Sequence, residues 1–245
     1  MISVTLLTKN SAQYLPKVLE ALTSFDEILV LDSGSTDDTL TIASQFSNVS
    51  IHHHNFDGFG PAHRKATALA KHDWILSIDS DEVASPELVH EIQTMPLQET
   101  CVYAFPRYTY YNGQLIKWCG WYPDDQTRLY NRKVTGFTNA KVHETVITEG
   151  LKKVKLKHPM RHYSYETTED FLAKMQTYST LFAEQNRGKK NSSLCKAALH
   201  GAFAFLKSYL IKRGFLGGRI GFVISIYNAN TAFYKYLKLA EVNKS

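Results

Sequence analysis

Apolar and polar positions alternate in two rhythms along the first 95 residues. Residues 3–7, 27–31 and 74–78 are short runs rich in apolar residues, as in buried strands, and residues 49–53 predict a further strand. Between these runs apolar residues recur three and four positions apart, as at Leu15, Val18, Leu19 and Leu22, which indicates helices. Strands that alternate with helices predict an α/β fold, in which helices cover both faces of an open parallel sheet.

The pattern changes in the second half of the chain. Residues 102–111 and 127–131 predict further strands, which would make the sheet mixed, and an aromatic loop separates them. From Thr168 onward the spacing of apolar residues becomes helical. We therefore expect a main domain over residues 1–165 and a helical C-terminal extension over residues 166–245.

Polar side chains follow three of the predicted strands. Thr8 and Asn10 come after the first strand, Asp32 ends the second, and Asp79 with Asp81 follows the fourth. In open parallel sheets ligands bind beyond the carboxyl ends of the strands. The three clusters are therefore expected to converge in one crevice.

The Asp79-Ser80-Asp81 segment is the sharpest chemical signal. Two carboxylates this close together can hold Mg²⁺ or Mn²⁺, which prefer oxygen ligands and share them with substrate phosphates. The structural alternative is a solvated turn whose acids cap the following helix. Its position directly after a buried strand, with Glu82 adjoining, favours the metal interpretation.

Asp32 introduces a second candidate site. The residues after it, Ser33, Gly34 and Ser35, offer backbone amides next to a carboxylate, which suits a ribose or a nucleobase. The alternative is that these residues form only a turn and a helix cap. The chain has neither a Gly-x-Gly-x-x-Gly segment at this place nor a Gly-Lys-Ser/Thr phosphate loop, so dinucleotide and phosphate-loop ATP sites lose support.

These segments together resemble the family 2 glycosyltransferases in order and spacing. The matching segments cover residues 4–10, 30–37, 58–60 with Arg64, and 78–82. The resemblance implies a GT-A-type fold and an inverting, metal-dependent transfer of a sugar from a nucleotide diphosphate. It also implies a role for each residue of the site, with Thr8, Asn10, Asp32, Ser33 and Gly34 at the nucleotide, Arg64 at the diphosphate, Asp79 at the donor sugar and the metal, and Asp81 at the metal.

A narrower resemblance concerns residues 120–124, 128–130 and Val142-His143-Glu144. These segments are similar to the bacterial branch that adds β-1,4-linked glucose to the inner core of lipopolysaccharide. The implied reaction moves glucose from UDP-glucose to a heptose. A polyprenyl phosphate or another lipid-linked acceptor, a nucleotidyl transfer, and a binding module without turnover are the alternatives.

Inversion by a single displacement requires a general base near the acceptor hydroxyl. The resemblance places Glu144 where family members carry a catalytic acid, although His143-Glu144 replaces the usual Glu-Asp pair. Asp124, in the aromatic loop, is the second candidate. We prefer Glu144 narrowly, and a salt bridge to Arg128 or Arg132 is the structural alternative for either acid.

Positive charge is concentrated in the C-terminal quarter. Residues 185–240 contain ten Lys and Arg but no Asp or Glu, within a chain of net charge +5. Apolar residues recur at helical spacing beside these cations, in one stripe from Leu199 to Leu210 and another from Ile220 to Tyr227. Basic amphipathic helices are typical of proteins that bind an anionic membrane surface, and a helical cap is the alternative. No nucleic-acid motif is present.

The first residues and the cysteines indicate the cellular compartment. The first residues lack a basic leader before the apolar run, which argues against a signal peptide. Cys101, Cys119 and Cys195 are odd in number and have no paired spacing, as expected in a reducing environment. We expect a cytoplasmic protein at the periphery of the inner membrane.

Overall fold

The computed structural model describes residues 1–141 and 143–244, so Val142 of the predicted Val-His-Glu motif and Ser245 lie outside it. The chain forms two compact units. The first contains Met1–Tyr108 and Asp124–His162, and the second contains Thr109–Pro123 and the chain from Tyr163 onward. The aromatic loop that the sequence analysis assigned to the main domain therefore belongs to the second unit.

The chain builds strands and helices in the order that the sequence predicts over its first half. The strands are β1 (Ile2–Thr8), β2 (Glu27–Asp32), β3 (Val49–His53), β4 (Trp74–Asp79), β5 (Glu82–Ala84), β6 (Cys101–Tyr111), β7 (Gln114–Leu115), β8 (Asp124–Asn131), β9 (Lys152–Lys155) and β10 (Met160–Tyr165). The helices are α1 (Leu15–Ala21), α2 (Thr39–Ala43), α3 (Phe59–Leu69), α4 (Pro86–Thr94), α5 (Thr168–Asn186), α6 (Leu194–Leu206) and α7 (Gly218–Val242). A π-helical turn, Lys207–Ile211, and a 3-10 turn, Gly214–Gly217, lie between α6 and α7.

The sheet is mixed, as expected. Its strands run in the order β3-β2-β1-β4-β8-β6-β10-β5. The first four are parallel, and β8 pairs antiparallel to β4. In the parallel part Thr8 lies opposite Asp32 and Leu7 lies opposite Asp79, so these strands end together at one edge.

Helices cover both faces of the parallel part, which confirms the predicted α/β class. Successive side chains of β2 point to opposite faces. Ile28 and Val30 join the large core cluster that includes residues of α1 and α4, whereas Leu29 and Leu31 pack with residues of α3. Because both faces are buried, β2 is apolar at every central position instead of alternating.

The second unit has its own apolar core. Ile224 is fully buried there, together with Phe171 and Cys119, and Trp118 and Trp121 pack against this cluster. The two tryptophans of the aromatic loop therefore help to pack the second unit. None of the helices in the described part of the chain is long and apolar enough to cross a bilayer.

Two local features differ from what the sequence pattern suggests. The helix after Asp32 begins only at Thr39, because Asn10 Oδ1 accepts the Thr36 N–H and Asp37 Oδ1 accepts the Thr39 N–H, which holds the preceding segment as a loop. The strand β5 was not expected. It has only three residues, and it is formed by antiparallel pairing with β10, a distant segment that no local pattern in the sequence connects to it.

Candidate functional site

Asp32 organises the loop at the end of β2. Its side chain is 1% exposed, and Oδ2 accepts the N–H groups of Gly34 and Ser35 at 2.9 and 3.0 Å. Oδ1 accepts the hydroxyls of Thr8 at 3.2 Å and of Ser35 at 2.5 Å. Gly34 has a φ of +89°, which a side chain would disfavour. The turn predicted at this place is therefore built around the carboxylate.

The charge of Asp32 is stabilised by these hydrogen bonds. Burial alone would raise its pKa, but the bonds from Ser35, Gly34 and Thr8 outweigh burial and hold the pKa below its usual range. The group is therefore a carboxylate at neutral pH. Ser33 adds a further link, because its N–H donates to the Thr8 carbonyl at 3.0 Å.

The loops after β1 and β2 are tied together through Asn10. Its backbone has a φ of +50°, its N–H donates to Ser35 Oγ at 2.9 Å, and its Oδ1 accepts the Thr36 N–H at 2.8 Å. A third loop joins through Ser11, whose Oγ lies 2.8 Å from Ser80 Oγ. The structure thus brings together the three polar clusters that the sequence predicted to converge.

Asp79 is paired with a buried arginine. Its Oδ2 lies 2.9 Å from Arg128 Nη2, and the two side chains are 33% and 8% exposed. Burial would raise the pKa of Asp79, but the guanidinium of Arg128 outweighs burial and holds the pKa below its usual range. Arg128 lies in a segment of the narrower family resemblance, but no role at this site was predicted for it. The available signal was a cation next to the apolar pair Leu129 and Tyr130 of β8.

Glu82 lies beneath this pair and is fully buried. Its Oε2 accepts the Asp79 N–H at 3.1 Å, and its Oε1 lies 3.1 Å from Arg107 Nη1. Burial and the negative charge of Asp79 raise the pKa of Glu82. The carboxylates of Asp79 and Glu82 and the two arginines form a charged network at the end of β4, and this network fixes the backbone of the Asp-Ser-Asp segment.

Asp81 lies beside His162. The distance from Oδ2 to His162 Nε2 is 3.4 Å, and the two side chains are 32% and 13% exposed. His162 is positioned by the pairing of β10 with β5, in which it lies opposite Glu82. From the sequence, a hydrogen-bonded structural role was the preferred interpretation of His162 and a role near the metal or acceptor the alternative, because the strand pairing that brings it here is not visible in the sequence.

The donor set fits a divalent cation that is shared with a substrate. Among residues 1–141 and 143–244, no three His, Cys, Asp or Glu side chains converge as metal ligands. Mg²⁺ sites at phosphates use one or two protein carboxylates and leave the remaining positions to substrate oxygens and water. Asp81, a partly exposed carboxylate, matches that need.

Glu144 and Asp124 have different surroundings. Glu144 is 14% exposed, and its Oε1 lies 3.8 Å from His63 Nε2. Burial raises the pKa of Glu144, and the charge of Asp79 raises it further. Asp124 is the first residue of β8, and its oxygens accept two hydrogen bonds from Arg107 at 2.6 and 2.9 Å and one from Gln126 at 2.6 Å. Asp124 is therefore held by Arg107 and Gln126, whereas burial raises the basicity of Glu144.

The segment before Glu144 docks on the start of α3. The N–H groups of Phe59 and Gly60 donate to the carbonyls of Lys141 and Ala140, each at 3.0 Å. A Cβ at Gly60 would lie 2.3 Å from the Thr138 carbonyl oxygen, so only glycine permits this approach. The Gly-Phe-Gly segment identified from the sequence thus fixes the path of the loop that carries Glu144.

Arg64 lies on α3 next to the same loop. Its Nη1 donates to the Phe137 carbonyl at 3.2 Å, and the residue as a whole is exposed. This bond uses one of the five guanidinium N–H groups, so the side chain can also donate to a bound anion.

Comparisons with solved structures define the class of fold. Staphylococcus aureus TarS 1–349, in complex with UDP-GlcNAc, superimposes with a TM-score of 0.50 at 15% identity, over 99% of this chain and 89% of that one. The mannosyltransferase PcManGT of Pyrobaculum calidifontis, in complex with GDP-Man and Mn²⁺, gives a TM-score of 0.56 at 12% identity, over 99% and 86%. The fold is that of the GT-A-type glycosyltransferases.

Sequence comparisons give the family. The profile for Glycosyl transferase family 2 matches residues 3–148, and the chain belongs to this family. An uncharacterised glycosyltransferase of Rickettsia felis is 30% identical over 266 residues, which cover 100% of this chain and 90% of the relative. The lipopolysaccharide core biosynthesis glycosyltransferase LpsC of Rhizobium meliloti is 25% identical over 97% of this chain and 91% of LpsC. The predicted family is confirmed.

Proposed function

We propose that this glycosyltransferase moves a hexose, glucose from UDP-glucose, to a heptose of the lipopolysaccharide inner core with inversion at the anomeric carbon. The observation that carries the proposal is the joining of the Asp32 loop to the Asp-Ser-Asp segment through Asn10, Ser11 and Ser80, with the charge of Asp79 acting on Glu144. The UDP-GlcNAc complex of TarS and the name of LpsC support the donor and acceptor classes.

In this proposal the loops after β1 and β2 hold the nucleotide. Thr8 and Asp32 contact the uridine, and Asn10, Ser33 and Gly34 shape the pocket around it. The negative charge of Asp32 suits the donor groups of uracil and ribose. Arg64 donates to the diphosphate, and Asp79, oriented by Arg128, contacts the sugar.

A divalent cation, Mg²⁺ or Mn²⁺, would be held by Asp81 with Asp79 and His162 nearby, and PcManGT carries Mn²⁺ in its complex. When bound, such an ion neutralises charge that develops on the departing diphosphate. The chain itself contributes the carboxylates, which keep the ion next to the donor, and the buried arginines, which keep those carboxylates in place.

Glu144 acts as the general base. Its carboxylate removes the proton from the acceptor hydroxyl, the hydroxyl oxygen forms the new bond to the anomeric carbon, and the bond from that carbon to UDP breaks with its electron pair leaving on the diphosphate. The raised pKa of Glu144 makes its carboxylate a stronger base than a solvated glutamate. Asp124 stays the second candidate for this role.

The acceptor is proposed to be presented at the cytoplasmic face of the inner membrane, where the protein would bind peripherally. The acid-free, basic stretch over residues 185–240 supports this location. A polyprenyl phosphate or another lipid-linked acceptor uses the same surface and is therefore the second candidate.

A donor and acceptor panel tests the proposal. UDP release would be measured for several UDP-sugars with Mg²⁺ or Mn²⁺, with truncated lipopolysaccharide or polyprenyl phosphate as acceptor and Asp81→Ala as control. We expect release confined to UDP-glucose and the lipopolysaccharide acceptor, loss of release in the variant, and a β-linked product by NMR. If UDP is released only with polyprenyl phosphate, that lipid becomes the proposed acceptor. If Asp81→Ala releases UDP as the wild type does, the proposed role of Asp81 is contradicted.

A further inference from the structure

A row of apolar side chains on the second unit is exposed. Leu199, Phe203, Leu206 and Leu210 lie at helical spacing along α6 and the π-helical turn, and they are 71%, 59%, 50% and 54% exposed. The opposite side of α6 is packed, since a Cβ at Gly201 would lie 3.1 Å from Phe233 Cβ of α7. The row is therefore the outer face of a helix whose inner face is already occupied.

The exposed surface continues beyond α6. Ile211, Phe215, Leu216 and Phe222 are each 48% or more exposed. Tyr209 connects the segments, because its ring centroid lies 6.4 Å from that of Phe215 and 5.9 Å from that of Phe222. We call this surface the apolar ridge; its members are Leu199, Phe203, Leu206, Leu210, Ile211, Phe215, Leu216 and Phe222.

The second stripe identified in the sequence is not part of the ridge. Ile224 is fully buried, and Ile220, Val223 and Tyr227 pack against the core cluster that contains Phe171. Only one of the two predicted amphipathic stripes therefore faces outward. The 3-10 turn and Phe222, which the periodicity did not single out, complete the surface in its place.

Charge identifies what covers the ridge. The segments that form it carry Lys196, Lys207, Lys212, Arg213 and Arg219, all exposed, and no acid occurs between residues 185 and 240. A second copy of the chain would bring two such sets of cations together, which is unfavourable. An anionic bilayer offers acyl chains for the apolar side chains and phosphates for the cations.

We propose that the apolar ridge inserts into the boundary between headgroups and acyl chains of an anionic membrane, while the flanking lysines and arginines bind lipid phosphates. The ridge deepens the membrane location in the proposed function by naming the residues that insert. The basic stripe alone would give binding that salt abolishes, whereas inserted Leu and Phe side chains add a contribution that salt leaves in place.

Vesicle flotation of the full chain tests the ridge. The vesicles contain equal parts of phosphatidylglycerol and phosphatidylcholine, or phosphatidylcholine alone. We expect wild-type protein to float with the anionic vesicles, and we expect the double variant Leu199→Ser, Phe203→Ser to bind about tenfold or more weakly. The matched control is Leu172→Ser on α5, since Leu172 is 54% exposed and lies outside the ridge. It should bind like the wild type.

Three outcomes would overturn the ridge proposal. One is equal flotation of the wild type and the double variant. Another is equal loss in Leu172→Ser. The third is a concentration-dependent dimer in light scattering that the double variant dissolves, which would assign the ridge to a second copy. UDP release with a water-soluble acceptor separates this proposal from the proposed function, because ridge variants should leave that activity unchanged.

A different observation concerns a buried histidine on α3. His63 is 1% exposed, its ring stacks on Phe137 at 4.1 Å, and its Nδ1 lies 3.0 Å from Ser77 Oγ. Its Nε2 is buried, has no hydrogen-bond partner among the described residues, and lies 3.8 Å from Glu144 Oε1. A buried polar nitrogen without a partner is uncommon in folded proteins.

Burial determines the charge of the His63 ring, and its contact with Ser77 bears on which ring nitrogen carries the proton. Burial lowers the pKa of His63 to about 4, so the imidazole is neutral at physiological pH and carries one N–H. If the Ser77 hydroxyl donates to Nδ1, the N–H is on Nε2 and faces the carboxylate of Glu144. The 3.8 Å separation from Oε1 is slightly longer than a hydrogen bond.

We infer that His63 is a positioning residue, whose Nε2–H holds one oxygen of Glu144 and leaves the other for the acceptor hydroxyl. This inference rests on the proposed role of Glu144. His63→Phe keeps an aromatic ring for the stack but removes the donor, and His63→Gln keeps an N–H donor. We expect kcat to fall between about tenfold and hundredfold in the Phe variant, with KM for the donor unchanged and partial rescue in the Gln variant.

Two results would overturn this inference. The first is a kcat of His63→Phe equal to that of the wild type. The second is independent of turnover: ¹⁵N NMR of the imidazole in wild-type protein should show the tautomer protonated at Nε2, and a ring protonated at Nδ1 would exclude the donation. A failure of the proposed function would instead show as absent turnover in wild-type protein with the expected tautomer present.

Discussion

Arg128 donates to Asp79 through Nη2 at 2.9 Å, while its other terminal nitrogen, Nη1, is buried and has no hydrogen-bond partner among the described residues. The arginine is thus half satisfied by the acid it orients. Burying a charged donor without a partner is costly, so Nη1 of Arg128 lowers the stability of the site as it stands.

Substitution of Arg128 alone should lower the free energy of unfolding more than substitution of Arg128 and Asp79 together. Arg128→Met leaves the Asp79 carboxylate without its cation, and we expect a loss of about 3 kcal/mol in the free energy of unfolding. The double variant Arg128→Met, Asp79→Asn should recover part of that loss. Urea unfolding of the four proteins in the cycle measures the coupling, and additive losses would contradict the pairing described here.

Substitution of Glu144 and substitution of Asp124 should have unequal effects on kcat. Glu144→Gln removes the proton acceptor and should lower kcat by about 10² to 10⁴-fold with little change in KM for the donor. Asp124→Asn breaks the contacts with Arg107 and should act mainly on the free energy of unfolding. Steady-state kinetics of both variants decide the assignment, and the reverse order of kcat values would make Asp124 the base.

The pH dependence of turnover should report the raised pKa of Glu144. A general base works only when it is unprotonated, so kcat falls as the pH drops through its pKa. Burial and the charge of Asp79 raise that pKa, and the acid limb should therefore lie above the usual range of a glutamate. A pH profile of kcat checks this. An acid limb at the position of a solvated glutamate would mean that another group is the base.

Gly60 and Gly136 form a matched pair for testing the Glu144 loop. A Cβ at Gly60 would lie 2.3 and 2.5 Å from the carbonyl oxygens of Thr138 and Ala140, whereas a Cβ at Gly136 would meet nothing within 4 Å. Gly60→Ala should cost about 1–3 kcal/mol in the free energy of unfolding and lower kcat. Gly136→Ala should leave both nearly unchanged. Similar values for the two variants would show that the loop does not depend on this approach.

Asp32→Asn should weaken nucleotide binding and change the response to acid. The pKa of Asp32 lies below its usual range in the folded protein, so its stabilisation is present at neutral pH and is lost as the pH falls through that lowered pKa. The variant should lack this part of the acid sensitivity and should raise KM for the donor. Unfolding as a function of pH, measured on both proteins, would contradict the account if the two curves were parallel.

The parallel half of the fold was predictable because most of its strands are rich in apolar residues and buried on both faces, as in residues 28–31. The convergence of Asp32 and the Asp-Ser-Asp segment followed from the rule that parallel strands end together. The positions of Arg128 and His162 were not predictable, because they depend on pairings of β8 with β4 and of β10 with β5. Such pairings join segments far apart in sequence and leave no local periodicity.

The same limit applies to the C-terminal quarter. Periodicity found two apolar stripes but could not tell which one a neighbouring element covers. Gly201 decides this for α6, since it allows α7 to approach closely on one side and leaves Leu199 and Phe203 outside.

The central claim is that Asp81 binds a divalent cation together with the diphosphate of the donor, and calorimetric titration of UDP tests it most directly. Wild-type protein should bind UDP at least about tenfold more tightly with Mn²⁺ than without it. Asp81→Ala should bind UDP weakly and show no effect of Mn²⁺. Tight binding of UDP that needs no metal and is unchanged in Asp81→Ala would contradict the account.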